Sequence, residues 1–137
     1  MPGLPQIAPM LSYEDVGAAA DWLVRAFGFE EVERFDWEGR VAHVTLRLGS
    51  GVVMIGWPGE SYVSPKRLRE QCEAAAKMYD VPWVVDGVWV QVDDLEAHFE
   101  RAREEGARML SEIEDGTVER LYRAEDPEGH RWMFTQA

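Results

Sequence analysis

Two short stretches of this chain repeat one pattern 79 residues apart. Tyr13-Glu-Asp-Val-Gly-Ala18 and Val92-Asp-Asp-Leu-Glu-Ala97 each set an acidic residue, Asp15 or Asp94, directly before a run with helical apolar spacing. An aspartate in that position caps a helix N-terminus. Met54 and Met133 keep the same spacing of 79. Around both anchors the order of elements is the same: strand, helix, then three strands.

In the first repeat the pattern predicts a strand over 6–13 and a helix over 16–27 ended by Gly28. Strands over 31–37, 41–48 and 52–55 follow, alternating at period two. In the second repeat the strand is expected over 87–92 and the helix over 95–105, ended by Gly106. Strands over 108–112 and 118–124 lead to the turn Asp126-Pro-Glu-Gly129, where Pro and Gly hold their favoured turn positions. The last strand then puts Arg131, Met133 and Thr135 on one face and Trp132 and Phe134 on the other. Between the repeats, Ser64-Pro65 starts a helix. Leu68, Cys72, Ala75, Ala76 and Tyr79 continue it as one amphipathic stripe.

A repeated βαβββ unit predicts an α+β fold. Each half forms a four-stranded mixed sheet with a helix on one face. The two sheets curve around a common cavity, with the helices on the outer face. The expected organisation is one domain: repeat 1 over about 6–58, a connector helix over 59–86, and repeat 2 over about 87–137.

Composition narrows the function. A net charge of −12 argues against nucleic acid, whose phosphates need clustered Lys and Arg. It is compatible with a cationic ligand, though a solvated acidic surface explains it as well. The lone Cys72 excludes an internal disulfide and any multi-cysteine metal site, and its Ala and Leu neighbours suggest a small core residue. No signal peptide or long apolar run appears, so a cytoplasmic protein without membrane contact is expected.

In order and spacing the chain resembles the vicinal oxygen chelate superfamily, which includes glyoxalase I, extradiol dioxygenases, and the fosfomycin and bleomycin resistance proteins. The pieces that carry the resemblance are Tyr13-Glu-Asp-Val-Gly-Ala-Ala-Ala-Asp-Trp-Leu-Val-Arg-Ala-Phe-Gly-Phe29, Val92-Asp-Asp-Leu-Glu-Ala-His-Phe99 with Gly106-Ala107, and Asp126-Pro-Glu-Gly-His-Arg-Trp132. The resemblance implies a divalent metal held by His, Gln or Glu from the first and last strands of each repeat. Those positions fall here on Ala8, Met54, Gly87 and Met133. Ala and Gly have no donor, and a thioether is too soft for Mn, Fe, Ni or Zn. A one-residue register error adds only Asp86. His43 lies mid-strand, His98 at a surface or boundary of a helix, and His130 in the turn. No metal and no cofactor is therefore expected. The resemblance also implies a homodimer, in some members with exchanged halves.

The expected ligand-binding residues are Trp37, His43, Met54, Trp57, Trp89, Gln91, Arg120, Tyr122 and Met133. Met54 and Met133 make an apolar floor, and Trp89 and Gln91 share a face with Gly87. Tyr122 occupies the second-repeat position matching His43, at the same offset of 79, with Arg120 two residues before it near the second hairpin. Trp37 and Trp57 stand at strand ends, near a cavity mouth. Trp89 fits cavity wall and ordinary core equally, whereas Trp22 and Trp132 belong to the core. Such a pocket suits a flat aromatic or cationic small molecule. It points to sequestration without chemistry, similar to the bleomycin-type resistance proteins. Two other readings stay open. One is a lyase, isomerase or oxygenase using His43, Tyr122 and Arg120 as base, acid and oxyanion clamp. The other is a dimeric module with a vestigial pocket.

Overall fold

The computed structural model describes residues 3–82, 86–117 and 119–136. The polypeptide forms two compact units, one reaching Tyr62 and the other starting at Val63.

In the first unit β1 (Met10–Ser12) leads to α1 (Val16–Phe27) and a meander of β2 (Glu30–Trp37), β3 (Arg40–Leu48) and β4 (Gly51–Gly56). The strand order is β1-β4-β3-β2, with β1 parallel to β4 and the other pairs antiparallel. Asp15 caps α1 by accepting from the Ala18 amide, and Gly28 ends it in the left-handed region. Val16, Ala20, Leu23 and Phe27 pack from the helix toward Val44, Leu46 and Ile55 of the sheet, and all seven are buried. Trp22 is buried too, edge-on to Phe27. The strand expected over 6–13 is shorter, because only Met10 to Ser12 pair with β4. A register shift between Phe35 and Asp36 also breaks the alternation on β3. Val41 then lies on the helix side, where its Cγ2 would stand 3.2 Å from a Cβ at Gly17.

The second unit holds α2 (Pro65–Gln71), α3 (Glu73–Met78), β5 (Val88–Gln91), α4 (Leu95–Glu104), β6 (Arg108–Met109), β7 (Glu114–Asp115), β8 (Arg120–Glu125) and β9 (Arg131–Gln136). The order β5-β9-β8-β6 repeats that of the first sheet, with β7 added on β8. Asp94 caps α4 through the Ala97 amide. Leu95, Phe99 and Ala102 bury against Tyr122, Ala124, Trp132 and Phe134. The expected strand over 108–112 is two residues long, and Val118, where its successor is expected to begin, lies outside the described residues.

The connector departs from expectation. It forms two short helices, interrupted at Cys72, whose backbone is extended (φ −138°, ψ 115°). Cys72 is exposed rather than a core residue, and Leu68 is exposed as well. Residues 83–85 of the connector lie outside the described residues. Within the second unit, α2 docks on the β8–β9 turn, where the Lys66 amide donates to the Glu128 carbonyl at 3.0 Å. Arg69 makes a bidentate pair with the buried Glu125, at 2.6 and 2.8 Å.

Candidate functional site

In each unit one row of side chains crosses the sheet on the face away from the helix. In the first unit Met10, Met54, Thr45 and Glu33 stand in register on β1, β4, β3 and β2. In the second, Trp89, Met133 and Arg123 hold the equivalent places on β5, β9 and β8. The spacing of 79 relates Met10 to Trp89 and Met54 to Met133, but Thr45 and Arg123 are 78 apart. The cause is hairpin length. Met54 lies nine positions after its partner Thr45, and Met133 ten positions after Arg123. A slip of one residue on a strand exchanges its two faces.

That slip corrects two of the expected site residues. Tyr122 pairs with Phe134 on the face of β8 that packs on α4, and it is fully buried. Its ring meets Phe99 edge-on and stacks on Phe134. Its hydroxyl bonds to His98 Nδ1 at 2.5 Å, and burial pushes the phenol pKa far up. Arg120 shares that face and pairs with Glu96 of α4. Neither reaches the open face, so the base, acid and clamp expected of His43, Tyr122 and Arg120 do not share one face of their strands. His98 lies at the boundary, half-buried as expected, with its ring 4.3 Å from Phe134.

The other expected residues do lie on helix-free faces. In the first unit His43 is half-buried, with Nε2 3.0 Å from the buried Thr45 Oγ1. Met54 is half-buried beside Met10, which is exposed. Trp37 is exposed at the end of β2, and Trp57 follows β4 with the Arg40 guanidinium 3.8 Å above its ring. In the second unit Trp89 is exposed beside a half-buried Met133, so it is wall rather than core. Gln91 is exposed on the same face, opposite Thr135.

The second unit also carries a pocket of about 200 Å³. Trp89, Met133, Gly87 and Val88 form its apolar side, and Arg123 and Arg131 its polar side. A Cβ at Gly87 would meet the Arg131 carbonyl oxygen at 3.5 Å, an ordinary contact. Arg131 is held from three directions. Its Nε donates to Glu125 at 2.8 Å, its Nη2 to the Tyr79 carbonyl at 2.7 Å, and its Nη1 to the Val81 carbonyl. Pro82, next along, closes the wall. Arg123 and Arg131 are absent from the expected set. Counting back from Met133 across a five-residue turn rather than copying the offset of 79 identifies Arg123. Arg131 shares the face of Met133 by alternation, and Glu125 is its cross-strand partner on the other side of the same turn.

The divalent ion implied by the resemblance does not fit these residues. Ala8 and Gly87 bring no donor, and Met54 and Met133 bring thioethers. The register seats Met10 and Trp89 directly beside those two methionines, again without a hard donor. Among the described residues no three His, Cys, Asp or Glu side chains converge.

Residues 3–134 match the Glyoxalase/Bleomycin resistance protein/Dioxygenase superfamily, and the chain belongs to that family. Among solved structures it is similar to TioX from Micromonospora sp. ML1, at 31% identity and a TM-score of 0.71, with 97% of this chain and 96% of that one covered. The genomically encoded fosfomycin resistance protein FosX from Listeria monocytogenes shares the fold at 12% identity and a TM-score of 0.65, covering 97% and 93%. An uncharacterised protein of Mycobacterium bovis is 27% identical over 134 residues, covering 96% of this chain and 83% of its own.

Proposed function

We propose that this protein binds an aromatic small molecule and sequesters it unchanged, without a metal, as a resistance-type member of its family. The observation that carries the reading is the row Trp89–Met133–Arg123 bordering a pocket at the sheet position where the family resemblance puts a metal ligand. An exposed indole beside a thioether offers stacking and adaptable packing. The donor set there suits no hard cation. Of the two ligand characters expected, aromatic is favoured over cationic, because among the described residues the pocket is lined by two arginines and by no carboxylate. The catalytic alternative loses support with Tyr122 and Arg120 turned toward α4.

A homodimer fits the first unit. β2 is an edge strand whose residues are all exposed save Val32, and it carries Phe35 and Trp37, 58% and 55% exposed. Two exposed aromatics on an otherwise charged, unpaired edge give a second copy an apolar contact. Light scattering after size exclusion would give the mass of two chains.

The deciding experiment titrates intrinsic Trp fluorescence with a panel of aromatic natural products, on protein shown by elemental analysis to be metal-free. Saturable quenching that is lost in Trp89→Ala supports sequestration. A stoichiometric metal with no quenching would mean an enzyme. Neither metal nor quenching would mean a vestigial pocket.

A further inference from the structure

We infer that the pocket selects aromatic ligands that carry an anionic oxygen group, and that Arg123 is the residue that reads this group. The inference rests on the binding role proposed above and adds the chemical class of the ligand.

The first observation is a local reversal of charge. The chain carries 26 acidic and 14 basic residues, yet the charged residues lining this pocket are Arg123 and Arg131. A cleft that presents one sign of charge between apolar walls focuses the field and raises the local concentration of the opposite charge.

The two arginines are not equivalent. Arg131 is buried, and all three of its nitrogens donate to Glu125 or to the carbonyls of Tyr79 and Val81. It is spent on holding the wall. Arg123 is half-buried, and its backbone amide is fixed by Ser111 Oγ at 3.0 Å. Among the described residues its guanidinium has one ion-pair partner, Glu114, at 3.1 Å through Nη1. Glu114 lies on the two-residue strand β7, and its side chain is 52% exposed. A guanidinium has five N–H donors in a planar fork that matches a carboxylate. One contact with an exposed glutamate leaves most of that fork for a ligand, and exposed pairs of this kind are weak.

The second observation is geometric. Arg123 stands opposite Met133, and Met133 opposite Trp89, on three neighbouring strands. Adjacent strands lie about 4.8 Å apart. The indole and the guanidinium are thus about two strand spacings apart across one thioether. A fused two-ring system can stack on Trp89, lie over Met133 and present a substituent to Arg123. A pocket of about 200 Å³ suits a ring system of that size rather than a large drug.

The test uses three probes with one ring system: 2-naphthoate, 2-naphthamide and 2-naphthylmethylammonium. Each is titrated calorimetrically into the full chain at low salt. The expected order has the naphthoate binding about tenfold or more tighter than the amide, and the ammonium weakest. In Arg123→Met the naphthoate falls to the amide's affinity while the amide keeps its own, which also shows that the variant is folded. Glu114→Gln releases the guanidinium and tightens the naphthoate severalfold without moving the amide. Equal binding of all three probes, or preference for the ammonium, overturns the role of Arg123 and leaves aromatic binding intact. Binding of none of them overturns this inference together with the sequestration reading.

Discussion

Glu125 gathers three arginines on one buried carboxylate. Arg69 and Arg131 hydrogen-bond it, and Arg108 Nη1 lies 3.5 Å away. Burial opposes ionisation of the carboxyl, while the bonds from Arg69 and Arg131 favour it, and together they hold the pKa below the usual carboxylate value. A folded-state pKa below the unfolded one stabilises the fold above the unfolded pKa, and the contribution disappears as the pH falls through the folded value. Chemical denaturation should therefore show stability declining on acidification below about pH 4.5. Glu125→Gln should flatten that decline and cost about 3–5 kcal/mol at neutral pH, because it strands Arg131 and Arg69 without their counter-charge. Tyr122 makes the complementary test. Tyr122→Phe deprives the half-buried His98 of a partner and should cost about 1–3 kcal/mol in urea unfolding. Since the residue faces α4, the variant should titrate in Trp fluorescence with unchanged ligand affinity.

At the scale of elements, legibility depended on whether the determinant was local. Helices α1 and α4 and their aspartate caps were readable because the cap and the apolar stripe lie within a few residues of each other. The break at Cys72 was not. Leu68, Cys72, Ala75, Ala76 and Tyr79 keep helical spacing, and no Pro or Gly marks the interruption. The faces of β9 were legible from alternation, but those of β8 depend on its register against β9, which the turn sets. Alternation accordingly puts Trp89 and Met133 on the open face, whereas the offset of 79 puts Tyr122 there in place of Arg123. The turn itself leaves little freedom. Gly129 has φ +91°, and a Cβ there would stand 2.6 Å from the Lys66 backbone nitrogen. Gly129→Ala meets both strain and a backbone clash. It should cost about 2–5 kcal/mol and free the N-terminus of α2 from the turn, visible as faster amide exchange at Lys66.

For the whole molecule, the family fixes the architecture and leaves the ligand to the side chains on the open faces. Whether metal is needed can be read from thermal unfolding without knowing the natural ligand. Added Mn, Ni or Zn, or a chelator, should leave the melting temperature where it is. An aromatic carboxylate supplied at a hundred times its dissociation constant should stabilise the chain by about 2.7 kcal/mol. No helix among the described residues is long and apolar enough to cross a membrane. Most of this architecture is legible in the repeat, because a spacing of 79 holds for the first and last strands of both halves. It failed at β8, and with it went the identity of one pocket residue.

The extra residue in the second hairpin amounts to one codon. One more residue between paired positions does more than extend a loop. It turns one strand over, so that at an offset of 79 a residue on the open face of β3 answers to one on the helix face of β8, and the reverse. Thr45 in one half and Arg123 in the other occupy one place on the sheet, although a constant-offset alignment pairs Thr45 with Ala124. Grafts from relatives into this chain should therefore be transferred strand by strand, by pairing partner and not by position in an alignment.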